Sequence, residues 1–179
     1  MNPTTKPPKA DNARRTPVHI VEAARQVLGV IDLDPASDEQ ANQTVKATRI
    51  FTREDDGLTI EWLGRVFLNP PGGHVQLTDT KSRQSRSAIW WSKLHDSYAG
   101  GLVHSAIFIA YNLEAFLNTQ RWGLPCQAYP FCVPEKRLVF PSSGGGNAES
   151  PPGASAIVYL GLEISLFQEV FSDIGYVRV

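Results

Sequence analysis

The sequence predicts an α/β domain built on a mostly parallel sheet with helices on both faces. Three observations carry this. Apolar runs of strand length alternate with segments of helical period through the first two-thirds of the chain. The run Arg65–Leu68 is continuous in apolar character after its first residue, as strands buried on both faces are. The 179 residues are enough for one domain that buries about two-thirds of its unfolded surface.

The elements follow in order. Residues 16–29, "TPVHIVEAARQVLG", place Ile20, Val21, Ala24, Val27 and Leu28 on one helical face. Thr16 is the expected cap, Pro17 the first helical residue and Gly29 the stop. "VIDLD" is a short strand, "PASDEQANQTVKA" a turn and a helix, and "TRIFT" a second strand. "REDDGLTIEWLG" is an acidic connection to the third strand, "RVFL". A polar loop, "GGHVQLTDTKSRQSRS", precedes the helix "AIWWSKLHDSYAGG". "HSAIFIAYN" is the strongest strand and "LEAFLNTQRWG" a helix in apolar register. The last third holds shorter strands, "YPFCVP", "RLVF", "AIVYLG" and "YVRV", with a helix around "SLFQEVFSDIG". Between the second and third of these lies "PSSGGGNAESPPG", a flexible loop by composition.

Bulk properties limit the function classes. With 17 basic and 18 acidic residues the net charge is −1, so any nucleic-acid contact must come from a local basic patch. Two cysteines, Cys126 and Cys132, have no zinc spacing, and His19, His74, His95 and His104 are scattered, so no metal is expected. The cysteines are expected as reduced thiols of a cytoplasmic protein. No apolar run approaches the roughly 18 residues of a membrane span. Residues 1–15 read as a flexible basic tail without a signal-peptide core, and residues 16–179 as a single domain.

In open α/β sheets, ligands bind beyond the carboxyl ends of the strands. Three clusters follow strands here. In Asp34-Pro35-Ala36-Ser37 the acid either meets a ligand at the strand end or caps the next helix. In Glu54-Asp55-Asp56-Gly57 an acid either accepts from a ribose or an adenine amine or forms a solvated turn. In Asn69-Pro70-Pro71-Gly72 the Asn69 amide oxygen and the Pro70 carbonyl form a stiff pair of acceptors. Such a pair suits an exocyclic amine, which has two N–H donors. Holding both turns the nitrogen lone pair out of conjugation and toward an electrophile, without a base.

"TPVHIV", "DLDPAS", "DDGL" and "VFLNPP", in that order, resemble the amino-group DNA methyltransferases, and within them the short phage-type DNA adenine methyltransferases. The resemblance runs from Thr16 to the C-terminal strands. It implies a class I, Rossmann-like fold dependent on S-adenosylmethionine, and methyl transfer to the N6 amine of adenine in DNA. It implies that Thr16 and Pro17 help bracket the methionine end of the cofactor. Asp34, Pro35 and Ala36, with Ser37 beside them, match its first motif. Asp56, with Asp55, matches the acidic position near the adenosine, and Asn69, Pro70 and Pro71 the catalytic motif. A bacterial or phage-infected cell is the implied setting.

Two features depart from the family. The usual glycine-rich turn after Asp-Pro-Ala is replaced by "SDEQAN", which requires a cofactor loop of another shape. Gly72 stands where an aromatic residue normally stacks on the flipped base, a contact of about 1–3 kcal/mol. Either another aromatic supplies the stack, with Trp90 and Trp91 at the start of the next helix as the candidates and core packing as the other reading of both, or activity is weak or lost. Reaching an amine inside a duplex requires base flipping. Lys81, Arg83 and Arg86, with Lys93, form an acid-free basic segment directly after the catalytic motif, either a phosphate-binding surface or a solvated loop. The alternatives are a cytosine-N4 amino methyltransferase, and a silent module of the same fold that binds nucleic acid or protein.

Overall fold

The computed structural model describes residues 15–76, 83–140 and 153–179. Seven strands form one sheet in the order β2-β1-β3-β6-β8-β7-β9. They are β1 (Leu33–Asp34), β2 (Arg49–Ile50), β3 (Gly64–Leu68), β6 (Val103–Ala110), β7 (Phe131–Pro134), β8 (Ala156–Leu160) and β9 (Gly175–Arg178). The half β2-β1-β3-β6 is parallel throughout, and β8, β7 and β9 are joined by antiparallel pairings. Five strands therefore run one way and only β8 and β9 oppose them. Two further strands, β4 (His74–Gln76) and β5 (Arg83–Ser85), pair only with each other.

Side-chain alternation along the strands divides the core in two. Phe67, Ile107, Ile109, Ile157 and Tyr159 face one side, where α1 (Val18–Leu28), the end of α2 (Glu39–Val45) and α5 (Ile164–Ser172) cover them. Val66, Leu68, Phe108, Ala110, Val158 and Leu160 face the other, covered by α3 (Arg86–Ala99) and α4 (Glu114–Arg121). The result is a three-layer α/β/α arrangement, compatible with a Rossmann-like fold.

Most elements lie where the periodicity puts them, and the exceptions have physical causes. Helix α1 buries Ile20, Val21, Ala24, Val27 and Leu28 and ends at Gly29, whose φ of 76° suits glycine. Its N-cap is Pro17, not Thr16: ψ of 141° keeps Pro17 extended while its carbonyl accepts from Ile20 and Val21. Helix α2 is capped by Asp38, whose carboxylate accepts from the Ala41 N–H at 2.7 Å, rather than by Asp34. "RLVF" forms no ladder beyond a single bridge at Phe140; Leu138 and Phe140 alternate inward and are buried. The expected polar loop after the third strand contains the β4–β5 hairpin instead. The expected glycine-rich loop lies almost wholly outside the described residues, as does all of the expected tail but Arg15.

At the opposite edge from the strand carboxyl ends, Asp32 and Arg65 lock β1 to β3. The Asp32 carboxylate accepts from the Arg65 backbone N–H at 2.8 Å, from Nε at 2.7 Å and from Nη2 at 3.0 Å. These bonds hold the carboxyl below its ordinary range, with the Arg65 side chain the largest cause. Gly64 is required beside them, since a Cβ there would approach Asp32 Oδ2 to 2.7 Å at a φ of 80°. Both ion-pair side chains are about a third exposed, so the pair is screened. Arg65→Ala is expected to cost about 1 kcal/mol or less, a drop of roughly 2–4 °C in Tm for each kcal/mol. Because Asp32 titrates low when folded, its contribution is present above its ordinary value near 4 and is lost as pH falls through the folded value. Thermal melts of wild type and Arg65→Ala should therefore converge as the pH is taken below about 4; a gap independent of pH would remove the ion pair as its cause.

Candidate active site

The parallel half of the sheet places three of the predicted clusters along one edge. Asp34 ends β1, and residues 69–72 follow β3, the next strand. The register Leu33↔Val66 puts Asn69 one strand over and about two residues beyond Asp34. Strand spacing and rise set their Cα atoms on the order of 8 Å apart. On the far side of β1, β2 delivers the chain into the acidic turn at 53–57. Beside Thr16, Arg15 donates to the Gln40 side chain, in the first turn of α2 just after the β1 exit.

The β1 exit is tightly built. The Phe51 N–H donates to the Asp34 carbonyl and the Ser37 N–H to the Phe51 carbonyl, at 3.0 and 2.9 Å. This pins the turn Asp34–Ser37 against the chain leaving β2. The Asp34 carboxyl is 3% exposed and points to the α1 side, opposite Leu33. The Ala36 N–H donates to its Oδ1 at 3.2 Å. Burial pushes the Asp34 carboxyl up to about 7. The Ala36 N–H and the Ser37 hydroxyl offset part of that, the hydroxyl from a position outside hydrogen-bond geometry. Thr16 is buried too, and its hydroxyl has no partner among the described residues.

The acidic turn divides by role. Asp55 Oδ2 accepts from the Thr52 N–H at 2.7 Å and from its hydroxyl at 2.8 Å, which lowers the exposed Asp55 carboxyl from its usual range. It closes its own turn. Asp56 takes a left-handed φ of 48° and its carbonyl accepts from Thr59, while its carboxylate is exposed. Gly57 is the residue that sequence reasoning undervalued. A Cβ on Gly57 would sit 2.2 Å from the Pro35 carbonyl oxygen and 3.2 Å from Trp90 Cη2. The Gly57 carbonyl accepts from the Trp62 indole N–H at 2.7 Å. The Asp-Gly pair was the available signal; a glycine after two acids marks a backbone that must approach something closely.

Asn69 is half-buried, Pro70 buried, and Pro71 and Gly72 exposed. A Cβ on Gly72 would meet no atom of the described residues within 4 Å, and its φ lies outside the left-handed region. The site could thus carry a larger side chain there. The structure packs both tryptophans expected to replace that side chain. Trp90 is 7% exposed and stacks on Trp62 at 5.7 Å between ring centroids. Trp91 is 1% exposed, contacts Phe108 and Tyr129, and donates its indole N–H to the Leu124 carbonyl at 2.7 Å. In this conformation they are packing side chains, because the α3 face that bears them is the face covering the sheet. Of the basic residues expected on DNA, Arg83 and Arg86 are exposed and Lys81 lies outside the described residues.

A neighbour not foreseen is the end of β6. The register Leu68↔Phe108, carried on, sets Ala110 and Tyr111 level with Pro70 and Pro71. Tyr111 packs on Phe140, and its carbonyl accepts from the Ser155 hydroxyl at 2.9 Å. Cys126 and Cys132 are both buried free thiols, pushed up by burial to about 11 and about 12, so they stay neutral and offer no nucleophile. Among the described residues no group of three or more His, Cys, Asp or Glu side chains converges as a metal site, and no helix is long and apolar enough to cross a membrane. No family model, curated protein or solved structure matches the chain.

Asp34 gives the protein a pH signature. Its carboxyl titrates higher in the folded chain than in the unfolded one, so its neutral form stabilises the fold below about 4, and that stability is lost as pH rises through about 7. The loss is at most on the order of 4 kcal/mol. Denaturant unfolding between pH 4 and 8 should show this decline in wild type and a flatter profile in Asp34→Asn. Parallel profiles for the two proteins would mean that Asp34 is ionised throughout.

Proposed function

We propose that this protein transfers a methyl group from S-adenosylmethionine to the exocyclic N6 amine of adenine in DNA. The observation that supports it most is the juxtaposition at adjacent strand ends of a buried acid, Asp34, with Asn69-Pro70-Pro71. The donor and acceptor set fits such a cofactor. Asp34 accepts from amine or hydroxyl donors, and the Thr16 hydroxyl, without a partner among the described residues, offers a further buried polar group. Pro35, Ala36 and Ser37 keep the backbone close around it, and the turn at Asp55-Asp56 borders it from the β2 side.

S-adenosylmethionine, when bound, supplies a methyl group on a positively charged sulfur. The chain's own residues hold the acceptor nitrogen. The Asn69 amide oxygen and the Pro70 carbonyl accept the two amine hydrogens and aim the lone pair; Pro71, lacking an N–H, stiffens the backbone after them. Transfer would be a direct displacement without a covalent enzyme intermediate: the amine lone pair takes the methyl as the methyl–sulfur bond breaks and a neutral thioether leaves, and the methylated nitrogen then gives up one proton to water, so no proton need be removed beforehand. Open space at Gly72 leaves room for the extruded base.

A second reading rests on one feature. Gly72 provides no ring, and Trp90 and Trp91 are both buried, which suits a module that binds nucleic acid without transferring methyl. Labelled cofactor and unmethylated DNA separate the two. Wild type should incorporate label, identified as N6-methyladenine rather than N4-methylcytosine by mass spectrometry of digested nucleosides. Asn69→Ala should lower incorporation at least about a hundredfold, the scale of losing one preorganised acceptor. Binding without incorporation by wild type supports the silent module, and incorporation untouched by Asn69→Ala sinks the mechanism.

Gly72 offers a gain-of-function test. Gly72→Phe adds a ring into open space, so Tm should stay within about 2 °C of wild type. A new stack of about 1.4 kcal/mol would tighten DNA binding about tenfold. Equal Kd values for the two proteins would place the base away from residue 72.

A further inference from the structure

The amino edge of the sheet, opposite the candidate site, exposes apolar side chains that neither core cluster uses. We propose that a second copy of this chain docks on that edge across a two-fold axis, back to back, with both candidate sites facing outward. Such docking does not depend on the transferase reading.

Five large apolar side chains from distant parts of the chain meet there. Val30, Leu63, Leu102, Leu162 and Ile164 are each at least 40% exposed, and Leu162 is 89% exposed. The strand registers bring them together. Leu33↔Val66, carried back, sets Val30 level with Leu63, and the Asp32 N–H on the Arg65 carbonyl at 2.9 Å keeps that register. Gly64↔Val103, carried back by one, sets Leu63 level with Leu102, and the Gly64 N–H donates to the Leu102 carbonyl at 2.9 Å. The antiparallel pair Ala106↔Leu160, carried outward, sets Leu162 level with His104, two residues from Leu102, and Ile164 opens α5 just beyond. The four strands β1-β3-β6-β8 are neighbours, so the row crosses about 14 Å of edge. Single exposed apolar residues are ordinary, whereas a contiguous set marks a protein or membrane contact.

Charge selects the occupant. Arg65 lies at the β1 end of the row, with Nη1 3.5 Å from the Leu28 carbonyl. Glu163, exposed, lies at the β8 end between Leu162 and Ile164. A rim with both signs does not suit an anionic lipid surface, where basic residues would collect. It suits a copy of itself, because an isologous interface must carry its own complement. A two-fold axis between Leu63 and Leu102 lays Val30 on Leu162 and Ile164 of the copy, Leu63 on Leu102 of the copy, and Arg65 beside Glu163 of the copy. Arg65 holds Asp32 through Nε and Nη2, which leaves Nη1 for that second carboxylate.

The test follows the mass of the full chain by sedimentation up to about 100 μM, above the micromolar weak end of specific interfaces. Wild type should dimerise. Leu102→Glu and Leu162→Glu should stay monomeric, with Tm within about 2 °C of wild type because both sites are exposed. Glu163→Arg should raise the dimer Kd at least about tenfold by setting two cations together. Under mild oxidation, a mixture of Val30→Cys and Ile164→Cys proteins should form the mixed disulfide in preference to either protein's own; Cys126 and Cys132 are buried and do not compete. A monomeric wild type, or a dimer that survives both glutamates, would overturn docking on this edge. Cross-linking without preference for the mixed pair would overturn the two-fold arrangement. Binding of monomer to phosphatidylserine vesicles that Leu162→Glu abolishes would replace the second copy by a lipid surface.

Discussion

The contact between Gly57 and Pro35 governs the arrangement of the site. Two backbones meet so closely that a methyl group at residue 57 would lie 2.2 Å from a carbonyl oxygen. That contact joins the turn leaving β1 to the turn leaving β2. Trp62, fully buried, seals it through its indole N–H on the Gly57 carbonyl, and Trp90 stacks on Trp62 from below. Lys93 lies over the Trp62 ring at 6.0 Å. The strand-end turns thus behave as one rigid rim on the α3 side of the core. A tryptophan committed to that rim cannot also swing out to a substrate without uncoupling the turns it supports.

On the other face of the sheet an acid is buried at the same strand end. Asp34 is enclosed because β1 is flanked by β2 and β3 and because its side chain alternates to the face that α1 covers. No cation among the described residues is a cause of its shift. The Ala36 N–H and the nearby Ser37 hydroxyl offset only part of the desolvation, and Asp38 adds like charge. Asp32, just before the same strand, makes the contrast. It has an arginine fork and a backbone donor, and it titrates low. The paired acid stabilises the amino edge of the sheet, whereas the poorly paired acid costs stability at the carboxyl edge. Buried polar groups left short of partners concentrate where a ligand would complete them.

Legibility in the sequence followed the strength of the apolar signal. Strands β3, β6 and β8 each hold a continuous apolar run (Val66–Leu68, Ala106–Ala110 and Ala156–Leu160), and helix α1 has a clean 3.6-residue stripe, so burial alone specified them. The β4–β5 hairpin was invisible because its arms are three residues each and only Val75 is apolar; its register comes from backbone pairing, which leaves no pattern in side-chain type. "RLVF" misled for the converse reason. Its alternation was real, with Leu138 and Phe140 inward and Val139 outward, but inward burial does not require a neighbouring strand. At the site, Asn69-Pro70-Pro71 was readable as chemistry because proline restricts backbone whatever surrounds it. The roles of Gly57, Trp62 and Trp90 were not, since each depends on a long-range contact among turns brought together only by the fold.

These features divide the electrostatic work of the proposed reaction. The acceptor pair of Asn69 and Pro70 is neutral at every physiological pH, so the amine-holding step carries no titration of its own. Asp34, by contrast, ionises near 7 when buried without a cation. A ligand that brings positive charge or N–H donors to it binds the ionised form better, and linkage then requires binding to release a proton. Affinity for such a ligand rises with pH until Asp34 is ionised without it, then levels off. The pH dependence of the whole cycle therefore enters through the strand-end acid and the ligand it meets, and the base-free chemistry at the neighbouring strand is left independent of it.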